Sequence, residues 1–264
     1  MTHWYSLNNL KVFWQLLIRN MVIFIPQYKD KLINTLIWHT LSVSIFAYIM
    51  PHLGLANFGA FILITNIASA GFFNTTENVA IIVSDLEGDK AISYYLTLPI
   101  PQWMVFAQMA VASAIQALSI AIVLLPVGLL VLGNIHALPH FCWWKFAIIL
   151  VISNLFYGFF SLIIAAFTRN IHTMNNAWLR VVFPLWYLGG SNFPWIKMKT
   201  VFPGFAHFLL ANPLTHILEG TRAATLEPSL SLPFWMCTSI LIAFTFLIAY
   251  IGITQFMKRL DCLR

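Results

Sequence analysis

The residues able to do chemistry in this chain are few and scattered. His136 and His140 stand four apart, a spacing that puts two imidazoles on one helix face and could hold a metal ion. Pro139 interrupts them in a short loop with no carboxylate near, so no metal site is expected there. Cys142, Cys237 and Cys262 form no CxxC and no ligand spacing, and read as small hydrophobes. There is no Gly-Lys pair, hence no GxxxxGK[ST] loop to cradle phosphates, and neither HExxH nor GxSxG occurs. A non-enzyme that binds no cofactor itself is expected.

The acids carry more information. Three of the eight, Asp85, Glu87 and Asp89, fall with Lys90 inside the short stretch SDLEGDKAISYYLTLPIP. Glu77 sits in NTTEN (74–78), either facing a bundle interior or at the headgroup boundary; Asp85 only eight residues on favours the boundary. Asn74-Thr75-Thr76 has the form of a glycosylation sequon but falls inside an apolar segment, where glycosylation is not expected. Glu219 and Arg222 are three apart and can pair on a helix, a contact read as pinning structure ahead of touching substrate.

These side chains are positioned by very greasy elements. Of 264 residues 60% are hydrophobic and 8% charged, against about 25% charged in a soluble domain. Residues 32–76, 91–144, 146–168 and 228–257 hold no Asp, Glu, Lys or Arg. A crossing helix needs about 20 apolar residues, so the fold class is an all-α polytopic membrane protein. Spans are predicted near 32–50, 57–82, 103–132, 146–168, 178–192 and 232–256: six transmembrane helices in one domain, 1–264.

Residues 4–25 predict an amphipathic helix lying in the interface, within a segment 1–30. Asn8, Lys11, Gln15 and Arg19 recur at helical spacing opposite Leu10, Phe13, Trp14 and Leu17, and Pro26 with QYKDK is expected to end it. The same N-terminus lacks the basic start, apolar core and cleavage site of a removable signal peptide. Residues 193–226 are too Pro-rich for a full crossing and too apolar for a free loop. Two segments, 196–210 and 213–225, suit an external re-entrant hairpin. Asn212-Pro213 reads as a helix start, and Pro184, Pro194 and Pro203 interrupt helices.

With six spans and the N-terminus inside, ten basic residues fall on the cytoplasmic side (Lys11, Arg19, Lys29, Lys31, Lys90, Arg169, Arg180, Lys258, Arg259, Arg264). Four fall outside (Lys145, Lys197, Lys199, Arg222). That bias puts both termini and the acidic stretch in the cytoplasm. The net charge of +6 is assigned to orientation and lipid headgroups, and no nucleic-acid partner is expected. The spans hold almost no acids or histidines for an ion relay. Transport would therefore draw energy from a partner, and the charged stretch is a surface for that partner.

SDLEGDKAISYYLTLPIPQWMVFAQM resembles the cytoplasmic segment of ABC-2-type transporter permeases, in which an acidic stretch with a Gly leads into LxxxLxxLPxS. Gly88, Tyr95, Leu96, Leu98 and Pro99 occupy the matching places. FPLWYLGGSNFPW (183–195) is similar to that family's P-aromatic-aliphatic-SG-x-x-F-P element. ANPLTHILEGTRAA (211–224) resembles its NPLTYxxExxR element through Asn212, Pro213, Leu214, Thr215, Glu219 and Arg222.

The resemblance implies the pore-forming subunit of an ATP-driven exporter, two copies making the pore and separate ABC ATPase subunits, with their ATP and Mg, docking below. It implies a coupling helix over 84–99, with Asp85, Leu86, Glu87, Gly88, Asp89, Lys90, Tyr94, Tyr95 and Pro99 as contacts. A second contact falls to Lys11, Trp14, Gln15 and Arg19. Pro184, Gly189, Gly190, Phe193, Pro194, Asn212, Pro213, Glu219 and Arg222 form the implied hairpin and outer gate. Gly189-Gly190 departs from the usual Ser-Gly, and DLEGDK is more acidic than the family's run, which suggests charge matching to a particular ATPase. An apolar, weakly charged interior suggests a hydrophobic, amphipathic or lipid-linked cargo; a glycan route stays open, since aromatic rings can line one. The competing reading is an ion-gradient-driven secondary transporter or channel, with Glu77 as its first candidate. A lipid-modifying enzyme lacks any clustered His or acid signature.

Overall fold

The computed structural model describes the backbone of residues 2–54, 58–88, 91–133, 137–138, 140–168 and 170–261. His136, Pro139, Asp89, Lys90, Arg169, Cys262 and Arg264 lie outside the described residues. Among those described, every regular element is helical. The long helices are α1 (Thr2–Ser44), α2 (Gly59–Glu87), α4 (Gln102–Leu132), α5 (Trp143–Phe167) and α11 (Phe234–Asp261). Short ones are α3 (Ala91–Tyr95), α6 (Met174–Ala177), α7 (Phe183–Leu188), α8 (Trp195–Val201), α9 (Pro203–Leu209) and α10 (Pro213–Thr225).

Four stretches among the described residues are long and apolar enough to cross a membrane: Asn8–His52, Gln102–Leu132, Trp143–Phe167 and Phe234–Leu260. α2 has the length, at 29 residues, but Thr65, Asn66, Ser69, Asn74, Thr75 and Thr76 dilute its apolar character. The expected fifth span falls on a helical run over 174–188, about 22 Å at 1.5 Å per residue and short of a hydrocarbon core of about 30 Å.

One boundary differs from expectation. The N-terminal helix does not stop at Pro26 but runs through it, joining the predicted interfacial helix to the predicted first span. An interior proline loses one backbone hydrogen bond and crowds the preceding turn, at about 3 kcal/mol. The turns around it are anchored on α4: Phe24 is buried, its ring meets Tyr28 edge-on at 5.6 Å, and the Tyr28 hydroxyl reaches the Ser119 carbonyl. Two other prolines follow widened turns. π-helical segments at Ile45–Ile49 and Trp178–Val182 immediately precede Pro51 and Pro184.

α5 is the central helix, packed against α2, α4 and α11. Its Gly158 lies so close to the Ala110 backbone of α4 that a Cβ there would collide with the carbonyl, the close approach that small residues allow between membrane helices. Phe72 of α2 stacks on Phe160, and the Tyr157 hydroxyl donates to the Ala68 carbonyl at 3.0 Å. These contacts fix α2 against α5, and α2 supports a functional candidate at each of its ends.

Candidate functional site

At the C-terminal end of α2 the chain turns at Gly88, whose N–H donates to the Ser84 carbonyl at 2.9 Å. The Asp85 carboxylate reaches across this turn and accepts from the N–H groups of Ala91 (3.0 Å) and Ile92 (2.9 Å). Both oxygens therefore cap the first turn of α3, where free N–H groups favour an anion. Leu86 packs against the main core, and Ile92 is buried. Glu87 is exposed, close enough to Arg259 of α11 for an electrostatic interaction, and Arg259 also donates to the Ala165 carbonyl. The outward surface of the described segment is uncharged beyond Glu87: Ser93, Tyr94, Thr97 and Pro99 are exposed, Tyr94 at 66%.

α1 meets this end directly. The Arg19 guanidinium lies over the Tyr95 ring at 4.8 Å, a cation–π contact between the N-terminal helix and α3. Lys11, Trp14 and Gln15 are exposed. Further along, Lys31 pairs with Glu77 at 2.9 Å, joining α1 to α2. The Glu77 side chain is 46% exposed, so it is not a carboxylate sealed in the bundle interior.

The opposite end holds a buried ionic knot. Asn212 caps α10 with its side-chain oxygen on the Leu214 N–H (3.0 Å), its amide donates to the Leu185 carbonyl (2.7 Å), and Pro213 takes the first helical position. One face of α10 then delivers Glu219 and Arg222, with side chains 1% and 2% exposed, paired at 2.9 Å. Glu219 also accepts from the backbone N–H of Trp195 (3.0 Å) and of Leu232 (3.2 Å). Arg222 donates to the Thr65 hydroxyl (2.8 Å) and the Gly190 carbonyl (2.7 Å), and its plane lies 3.8 Å from the Phe61 ring centre. Gly190 presents that carbonyl from a left-handed turn at φ +87°, which a side chain would strain.

The pair thus ties α10 to α2, to the turn after α7, to the start of α8 and to the segment entering α11. The Trp195 indole donates to the Ala206 carbonyl at 2.7 Å, closing α8 on α9. The predicted single segment 196–210 is split at Phe202, because Pro203 starts a new helix and disfavours helical backbone just before it. Phe193 packs beside this hairpin, and Gly189, Pro184 and Pro194 form its approach. Sequence reading brought Glu219 and Arg222 together but missed Thr65, whose position 157 residues away carries no local signal.

An all-helical bundle with four helices long and apolar enough to cross a membrane, among the described residues, is that of an integral membrane protein. The family model for ABC-2 type transporters matches residues 9–226, and the chain belongs to that family. It is a transmembrane subunit of an ABC-type transporter, and such subunits normally work with an ATP-binding subunit. A search of curated proteins returned no match.

Proposed function

We propose that the chain is the pore-forming subunit of an ATP-driven exporter, working as a homodimer in a bacterial cytoplasmic membrane. Two separate ABC ATPase subunits would supply ATP and Mg. Both termini and the α2–α3 turn face the cytoplasm in this reading, and six segments cross or enter the bilayer. The cargo is hydrophobic, amphipathic or lipid-linked.

The observation that carries the reading is the construction of the α2–α3 end. Asp85 locks α3 onto α2, Arg19 ties α1 to Tyr95, and Tyr94 is left exposed beyond both. A force on Tyr94 is thereby transmitted to two long helices at once. The contact with the ATPase rests on Tyr94, Thr97 and Pro99, with Glu87 at its margin, while Asp85 acts as a strut. Lys11, Trp14 and Gln15 are free to meet headgroups or the ATPase.

Reconstituted with its ATPase, the chain should drive ATP-dependent export, and Tyr94→Asp should uncouple it while leaving the chain folded. Hydrolysis by the purified chain alone would contradict the proposal. So would transport that survives ATP depletion and collapses with the proton gradient, which would point to an ion-coupled carrier instead.

A further inference from the structure

A second feature of α2 is not used by either end. A cleft of about 430 Å³ opens between α1 and α2, with α4 behind it. Trp38 and His39 of α1 line it, as do Asn66, Phe73 and Asn74 of α2. Asn66 and Phe73 stand two helical turns apart on one face, with Asn74 next to Phe73. The amide nitrogens of Asn66 and Asn74 have no hydrogen-bond partner and lie almost out of reach of solvent. The His39 ring is 1% exposed and rests against the backbone near Leu124 and Gly128 without a well-formed hydrogen bond. Buried polar groups are ordinarily paired, and polar residues at membrane depth mark pathways and ligands.

The charge at this cleft is balanced. Lys31 and Glu77 stand at its edge but answer each other at 2.9 Å, so neither is left for an ionic ligand. What remains is two unsatisfied amides, the His39 imidazole, the Asn34 and Thr35 side chains, the Trp38 and Phe73 rings and an apolar wall of Ile120 and Leu124. We infer that the cleft takes the uncharged, hydroxyl-bearing head of an amphipathic molecule. Its oxygens accept from Asn66 and Asn74 once those amides swing toward the opening. Its apolar body lies along Ile120, Leu124 and the Trp38 and Phe73 rings. The inference rests on the permease reading and narrows its cargo from amphipathic molecules in general to neutral, hydroxylated ones.

The test is equilibrium binding to the full chain in lipid nanodiscs, using dodecyl maltoside and dodecyl phosphate below their micelle concentrations. Saturable binding of the maltoside in preference to the phosphate is expected. Asn74→Leu should weaken it about tenfold, the scale of one buried hydrogen bond. Ala70→Trp, which fills the cleft and leaves both amides in place, should abolish it. Equal binding of the two probes overturns the assignment, and so does wild-type affinity in both variants. An Ala70→Cys chain that cross-links to a second copy also overturns it, because the cleft is then covered by protein. Recovery of the ABC ATPase with each variant shows that it has folded, and it separates the two claims. A chain that recruits no ATPase contradicts the permease reading, whereas one that recruits it without maltoside preference contradicts the cleft alone.

Discussion

At the scale of single residues, Arg222 and Glu219 are the groups whose removal should be felt most. Each is buried, charged and bonded to backbone or side chains from other elements. Arg222→Met leaves the Glu219 carboxylate buried without its cation, and breaking such a pair costs about 3–5 kcal/mol. Glu219→Gln keeps one acceptor for the Trp195 or Leu232 N–H and should cost less. The double variant Glu219→Leu with Arg222→Met should fall short of the sum of the singles, because the two share one network. Thermal unfolding in detergent reads all three. Arg222→Lys should not rescue, since an ammonium lacks the planar fork that reaches Glu219, Thr65 and Gly190 together. Asp85 belongs to the same class on a smaller scale. Asp85→Ala should lose about 1 kcal/mol of capping and reduce coupled ATP hydrolysis, with Asp85→Asn retaining part of both.

At the scale of elements, the sequence named the helix starts better than the helix stops. Asn212-Pro213 announced α10 because a side-chain cap followed by a proline acts within two residues. Pro26 announced an end that did not come, because the rings of Phe24 and Tyr28 hold the flanking turns against α4 from outside the local sequence. Asp85 looked like a surface charge, and only the turn at Gly88 brings Ala91 and Ile92 back to it. The partner carbonyl of Gly190 and hydroxyl of Thr65 were illegible for the opposite reason: nothing near them in sequence mentions Arg222. Gly190→Ala should strain its left-handed turn by about 1–2 kcal/mol and loosen the α7–α8 connection. Faster amide exchange at Trp195, against an unchanged rate in the middle of α5, is the measurement that checks it. Pro26→Ala should restore one backbone bond and raise the melting temperature without shortening α1.

At the scale of the whole molecule, the described helices arrange two constructions at opposite ends of α2. One end is a strut of Asp85 and Arg19 beneath an exposed Tyr94. The other is the Glu219–Arg222 knot beneath a proline-broken hairpin. In the proposed exporter, a displacement applied at Tyr94 would travel along α2 from Asp85 to the Thr65 anchor of the hairpin, about 30 Å at 1.5 Å per residue. Under the proposed function, that geometry would let hydrolysis at one end of α2 move the hairpin at the other. The direct measurement is ATP hydrolysis by the complex of this chain with its ABC ATPase in liposomes, comparing wild type with Tyr94→Asp. The account predicts that the wild-type chain raises hydrolysis and that Tyr94→Asp, equally folded, falls to the level of the ATPase alone. Undiminished hydrolysis and transport in Tyr94→Asp would contradict it.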